Sequence, residues 1–218
     1  MTINRVKRKN LKVLKIKRST RYSDRIIITF ENKSVLRVPE SAFILYPIKI
    51  GDSISPTDIN KYDEKMRLQE ARDAAFRLLS YRMRSEGEIK KRLADKSFMS
   101  DEIDTTVNNL KKLNYINDLE FARAFAKEKV KLKNIGPLLL RSELFKHYIE
   151  TALIDRIIQE IYDKYDIHTL IEKHLEKKSI NKGSPLENAI KQKLDNYLRR
   201  KGFSWGQINV VYADWGLI

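Results

Sequence analysis

The chain has 218 residues, of which 42% are hydrophobic, 9% aromatic and 33% charged, with a formal net charge of +15; this length suits one large domain or two or three small ones. Such an excess of cations concentrates polyanions at the surface, so nucleic acid is the first candidate partner and an acidic protein or membrane surface the second. Without cysteine there are no disulfides, zinc fingers, iron–sulfur clusters or thiol nucleophiles, and without a run of 18 apolar residues or a signal-peptide pattern a cytoplasmic protein with no membrane contact is expected.

Residues 1–65 hold 15 basic and 7 acidic residues, and the first 23 hold no acid. Leu11-Lys-Val-Leu-Lys-Ile-Lys17 partly alternates apolar and basic side chains, a half-buried strand pattern. Arg25-Ile-Ile-Ile-Thr-Phe30 and Ser34-Val-Leu-Arg-Val38 are β-branched runs that Glu31-Asn32-Lys33 can join as a hairpin. Pro39, Pro47, Gly51 and Pro56 then punctuate the chain. A small β-rich module over 1–60 is expected.

From about Lys61 the grammar is helical. Ala71, Ala74, Ala75, Leu78 and Leu79 form an amphipathic stripe. Ser85-Glu-Gly-Glu88 fits a capping box, so a helix should begin at Ser85. Pro137 and Pro185 can both sit at helix starts.

One spacing recurs. Leu93, Phe98 and Ile103 are five apart; Leu144, Ile149 and Ile154 repeat those steps, and Leu198, Phe203 and Ile208 repeat them again. Each triplet reads as a helix end, a turn plugged by the middle residue, and a new helix opening before the third. Ser100, Thr151 and Ser204 are placed to cap that new helix. A further helix lies upstream of each triplet, at 71–82, 121–131 and 170–177. The expected fold is therefore mainly α, an elongated array of three tandem three-helix repeats over 61–116, 117–166 and 167–218 behind the β-rich module.

Four segments carry a family resemblance. Ala75-Phe-Arg-Leu-Leu-Ser-Tyr-Arg-Met-Arg-Ser-Glu-Gly-Glu-Ile-Lys-Lys-Arg-Leu93 resembles the first-repeat signature of the RecX family of RecA modulators. Leu113-Asn-Tyr-Ile-Asn-Asp-Leu-Glu-Phe-Ala-Arg-Ala-Phe125 and Gly136-Pro137-Leu-Leu-Leu-Arg-Ser-Glu-Leu144 resemble its second repeat, and Arg199-Arg-Lys-Gly-Phe203 keeps the basic turn of the third. The resemblance implies a regulator that lodges in the groove of a RecA–single-stranded-DNA filament and modulates, by inhibiting, ATP hydrolysis and strand exchange. It places the chain in DNA repair, DNA recombination and the SOS response.

Candidate binding residues follow from charge. Arg82, Arg84, Lys90, Lys91 and Arg92 cluster around the first turn, with Glu86, Glu88 and Asp95 interleaved; the alternative there is a solvated helix face. Arg199, Arg200 and Lys201 occupy the equivalent turn of the third repeat with only Asp195 near in sequence. Both suit phosphate or an acidic recombinase surface. Residues 117–166 carry 9 basic against 9 acidic residues, so packing is expected there instead. Arg5, Lys7, Arg8 and Lys9, continuing into Lys12, Lys15, Lys17 and Arg18, can form a nucleic-acid arm or a lysine-guarded edge strand.

Catalysis lacks a candidate set. His147, His168 and His174 lack metal-ligand spacing, Gly51-Asp-Ser-Ile54 reads as a turn, and no glycine-rich phosphate loop exists. Tyr115, Phe121 and Phe125 sit at core spacing. The expectation is a non-enzyme with no cofactor, no metal and no small-molecule substrate, whose partners are a RecA-type recombinase filament and single-stranded or duplex DNA. The competing expectation is a stand-alone DNA-binding protein with helix-turn-helix-like repeats.

Overall fold

The computed structural model describes residues 10–20 and 25–218; Arg5, Lys7, Arg8 and Lys9 lie outside the described residues. The β-branched runs form β1 (Leu11–Arg18), β2 (Arg25–Phe30) and β3 (Val35–Pro39), joined by a two-residue β4 (Ser53–Ile54) into an antiparallel sheet of order β3-β2-β1-β4. Alternate side chains leave a strand on opposite faces. Val13, Ile26, Ile28, Phe30 and Val38 are buried on one face with Ala42, Ile48 and Met66. On the other, Lys15 lies opposite Thr29, and Ile27 lies between Lys17 and Arg37. The 31–33 link turns at Lys33, with φ of 66°, while the Asn32 side chain accepts the Ser34 N–H at 2.9 Å. β4 covers only Leu11 and Lys12, so Lys15 and Lys17 guard the rest of that edge. The prolines hid one element, α1 (Glu40–Leu45), which starts directly after Pro39 and buries Ala42.

Nine further helices follow among the described residues: α2 (Pro56–Tyr81), α3 (Glu86–Ala94), α4 (Ser100–Lys112), α5 (Asp118–Lys133), α6 (Pro137–Lys146), α7 (Thr151–Tyr162), α8 (Ile167–Lys177), α9 (Asn188–Arg200) and α10 (Trp205–Asp214). The molecule is thus mainly helical with a small N-terminal antiparallel sheet. It divides into two compact units, one of Met1–Tyr81 with Arg92–Asn109, the other of Arg82–Lys91 with Leu110–Ile218. In the first, Arg67 of α2 holds Glu102 of α4 through Nε at 2.5 Å and a second nitrogen at 3.2 Å. In the second, one continuous core runs from Phe121 to Leu217.

The five-residue steps have a hydrogen-bonding cause. α3, α6 and α9 each end at a residue with positive φ: Ser97 (65°), Tyr148 (59°) and Gly202 (94°). A left-handed residue there folds the chain back, so the next N–H reaches a carbonyl five residues earlier. Phe98 donates to Leu93 at 3.3 Å, Ile149 to Leu144 at 3.4 Å and Phe203 to Leu198 at 3.3 Å. The residue after the middle one, Met99, Glu150 or Ser204, accepts the first intrahelical bond, from Ile103, Ile154 or Ile208 at 2.9–3.1 Å. The second step of five is therefore a hydrophobic staple across the next helix start. Leu110–Tyr115, Leu175–Ile180 and Tyr212–Leu217 make the first kind of bond without the second. In the three triplets a single residue closes one helix and opens the next.

The two units treat that residue differently. Ile149 and Phe203 are 3% and 1% exposed, but Phe98 is only half-buried. It borders an open depression of about 760 Å³ beside Ala74, Asp73 and Lys96, neighbours too small or too polar to seal it. Of the three expected caps, Ser204 alone acts as one, in a capping box with Gln207. Ser100 and Thr151 are instead first helical residues, and Glu102 serves the α4 start by accepting the Met99 N–H at 2.7 Å. The Ser85 box forms as expected, with Glu88 N–H to Ser85 Oγ at 3.1 Å. Pro137 opens α6, whereas Pro185 lies in the loop before α9. Tyr115 is exposed, because its backbone closes α4 while Ile116 supplies the buried side chain.

Successive turns dock on helix starts. Gly136 N–H donates to the Lys201 carbonyl at 2.7 Å and Leu138 N–H to the Gly202 carbonyl at 3.0 Å, so the end of α9 caps the start of α6. The Ser85 hydroxyl likewise donates to the His147 carbonyl, at the end of α6. A Cβ on Gly136 would come within 2.4 Å of the Gly202 oxygen, and one on Gly87 within 2.2 Å of the Tyr148 Cβ. Beside the α9 contact, His174 is buried; its Nε2 faces the Asn134 carbonyl at 2.7 Å and its Nδ1 the Tyr197 hydroxyl at 3.0 Å. That pairing fits a neutral ring donating from Nε2 and accepting at Nδ1. Burial lowers its pKa, the Asn134 carbonyl opposes the shift, and the charges of Lys201 and Lys177 add to it.

Two outcomes follow. Phe203→Ala should destabilise the protein by about 3–5 kcal/mol, and Phe98→Ala by clearly less, since water already reaches its ring; equal shifts in denaturant midpoint would show that the two turns are packed alike. For His174, the unfolded ring binds a proton more readily than the folded one, so its neutral state contributes fully above the ordinary imidazole pKa and is lost as pH falls below it. Thermal melting should therefore drop between pH 7.5 and 5.5 by more in the wild type than in His174→Gln.

Candidate nucleic-acid interface

The cations singled out by sequence meet different fates. Arg82 grips Glu88 with both terminal nitrogens, at 2.7 and 3.2 Å. Burial opposes ionisation of Glu88, but Arg82 and the Ser85 N–H outweigh it and hold the carboxyl below its ordinary range. Lys90 pairs with Glu86 at 3.1 Å, as does Lys111 at 2.6 Å, and burial of Glu86 is overcome in the same way. Asp118 accepts the Glu86 N–H at 2.7 Å. Its pKa is raised, first by burial and then by the charges of Glu86 and Glu88, against the pull of that hydrogen bond and Lys111. Lys91 lies 5.6 Å from the centre of the Tyr148 ring, and Arg84 is half-buried with a partner of its own. Arg92, in the other unit, stands 4.0 Å from Asp95. Most of the first-turn charge thus lies beside carboxylates.

Residues 117–166 are paired too. Arg123 bonds Glu160 at 2.9 Å, Lys129 and Lys146 meet Glu143 at 3.1 and 3.2 Å, and Arg141 meets Asp155.

The turn after α9 differs. Arg199 and Arg200 are exposed, and no ion pair forms on either among the described residues. Lys201 is half-buried, with its ammonium 5.6 Å from the Tyr197 ring centre. Lys178 approaches the same ring at 4.8 Å. Both arginines line an open depression of about 730 Å³ with Leu138, Asn196, Phe203, Ser204 and Trp205. Arg200 also borders a smaller one, shared with Lys178 and Lys193. Sequence reasoning missed Lys178, Lys193 and Trp205. Lys193, Tyr197 and Arg200 share one helix face by spacing, and that signal was available; Lys178 belongs to another helix, which no spacing reveals. The arrangement provides free guanidinium donors, aromatic faces and no acid–base or nucleophile pair, which is chemistry for holding an anion. No helix among the described residues is long and apolar enough to cross a membrane.

Comparison with known proteins agrees with the residues that first suggested a family. The model of the RecX first three-helix domain matches residues 71–110. The regulatory protein RecX of Oceanobacillus iheyensis is 29% identical over 177 residues, 80% of this chain and 64% of that one, so the chain spans slightly under two thirds of this relative. The regulatory proteins RecX of Listeria monocytogenes and Bacillus pumilus are 26% and 27% identical over 89% and 93% of this chain, and 72% and 76% of theirs. Among solved structures, a regulatory protein RecX superposes with a TM-score of 0.66 at 22% identity over 93% of this chain and 99% of its own. RecX from Lactobacillus salivarius superposes at 0.55 and 24% identity over 70% and 98%. These structures share the fold. The family model thus covers the resemblance to the RecX family carried by residues 75–93, and the relatives named RecX extend it over 113–144.

Proposed function

We propose that this protein regulates a RecA-type recombinase by binding the recombinase filament on single-stranded DNA and inhibiting its ATP hydrolysis and strand exchange. The observation that carries this reading is the similarity, over 80–93% of the chain, to proteins named as RecX regulatory proteins. The unpaired Arg199 and Arg200 supply a surface suited to an anionic partner. In this reading the protein works in the cytoplasm, in DNA repair, recombination and the SOS response, needs no cofactor and catalyses nothing. The four segments 1–60, 61–116, 117–166 and 167–218 act as its modules. The first-turn cations serve mainly to hold their own helices, and the third-repeat turn makes the contacts.

The stand-alone DNA-binding alternative calls for a helix presenting base-reading side chains to a groove. α3 presents Glu86, Lys90 and Lys91, two of which are ion-paired to each other.

Two measurements separate the readings. Added to recombinase filaments, the protein should suppress ATP turnover; if it leaves turnover untouched yet binds duplex DNA tightly, the alternative replaces this one. Replacing Arg199, Arg200 and Lys201 together with alanine should weaken filament binding and flatten its salt dependence, because fewer ions are released on binding. Unchanged inhibition by that variant at every salt concentration would remove the turn from the binding surface.

A further inference from the structure

We infer that the trough running from the end of α9 and the start of α10, past Leu138, to the groove between α6 and α7 binds single-stranded nucleic acid, with Trp205 and Phe145 as base-stacking faces and Arg199 and Arg200 as phosphate contacts. The trough consists of the 730 Å³ depression and a neighbouring one of about 320 Å³, and Leu138 lines both. Along α6 its wall is Leu138, Arg141, Ser142 and Phe145, spaced i, i+3, i+4 and i+7, so one helix face about 10 Å long forms one side. Thr151 and Ile154 of α7 complete the smaller depression, while Asn196, Arg199 and Arg200 of α9 and Trp205 of α10 line the larger one, which meets it at Leu138.

Three features select the occupant. First, no Asp or Glu among the described residues lines either depression. Arg141 is already held by Asp155, which leaves Arg199 and Arg200 as the open charges. Second, the large side chains are turned outward: Trp205 is 49%, Leu138 57% and Phe145 66% exposed. Aromatic faces beside a cationic groove are what unpaired bases stack on, whereas bases inside a duplex have no face to offer. Third, an apolar protein segment is a poor fit. Seating it here would bury two guanidinium groups without acceptors, at a cost exceeding what Leu138 and Phe145 return. A strand with phosphates on the two arginines and bases on Trp205 and, past Leu138, on Phe145 satisfies both depressions. The inference rests on the proposed function only for the source of the strand, since a recombinase filament is one place where single-stranded DNA is held open.

The test uses the intact chain and a short oligothymidylate. Its two tryptophans are placed differently: Trp205 is half exposed and Trp215 only 4% exposed, so quenching of intrinsic fluorescence reports on Trp205. Titration should quench that emission, more at low salt, with a duplex of the same length binding more weakly. Trp205→Leu, followed by a labelled oligonucleotide, and Phe145→Leu should each reduce affinity roughly tenfold while melting like the wild type. Two variants are used so that one folding failure does not decide the matter. Arg199→Ala with Arg200→Ala should reduce the slope of log affinity against log salt by roughly 1.4, the loss of two phosphate contacts. Absence of quenching, equal affinity for duplex, or wild-type affinity in both leucine variants would overturn the site; loss of recombinase inhibition in the leucine variants with no oligonucleotide binding would assign the trough to a protein and overturn it too. If the strand binds as described but recombinase activity is unaffected, the proposed function falls and this site stands. If the recombinase is inhibited and no strand binds, the site falls and the proposed function stands.

Discussion

The end of each short helix is the constraint on which the rest depends. The last carbonyls of a helix lack partners within it, and leaving them buried without donors is costly. This chain answers with a left-handed residue that brings an apolar side chain back over the helix it has just closed, at Ser97, Tyr148 and Gly202. In the larger unit the solution goes further. The carbonyls of Lys201 and Gly202 meet the first N–H groups of α6, and that of His147 meets the hydroxyl of Ser85. A partly negative helix end against a partly positive helix start is favourable in itself, and it satisfies both sets of orphan groups. Such contact needs backbones almost touching. Glycine therefore stands at 87 and 136, where a Cβ would collide, and at 202, where the φ of 94° adds a second requirement.

Docking the α9 turn on α6 also creates the candidate site. It places Arg199 and Arg200 beside Leu138 and brings Trp205 to the end of the α6 face. Isolated ion pairs at a surface contribute little to stability, commonly under about 1 kcal/mol, but they decide which cations remain for a partner. Around the first turn, Glu86 and Glu88 occupy Lys90 and Arg82. At the third turn nothing comparable among the described residues reaches the two arginines, because Asp195 lies on the inner side of α9 with one oxygen fully buried. A net charge of +15 is thus an unreliable guide to location; what matters is where the carboxylates are not.

Much of this was legible in sequence because it is local. The strands follow from β-branched runs, the capping box at Ser85 from two residues three apart, and the five-residue steps from hydrogen bonds whose partners are five apart by necessity. Helix and strand geometry depend on near neighbours, so spacing suffices to read them. The proline-flanked α1 escaped, since Glu40–Leu45 is too short to show a period. Sequence alone therefore determined the mainly helical class, the small N-terminal sheet, the repeated turns and the family resemblance. Tertiary structure decided the rest: that Phe98 stays half open while Phe203 is sealed, that Arg82 is held and Arg199 is not, and that Leu138 joins the depression beside Trp205 to the one beside Phe145. Each of these depends on which distant side chain arrives within a few ångströms, and residues such as Leu138 and Arg200, more than sixty positions apart, have no spacing rule to join them.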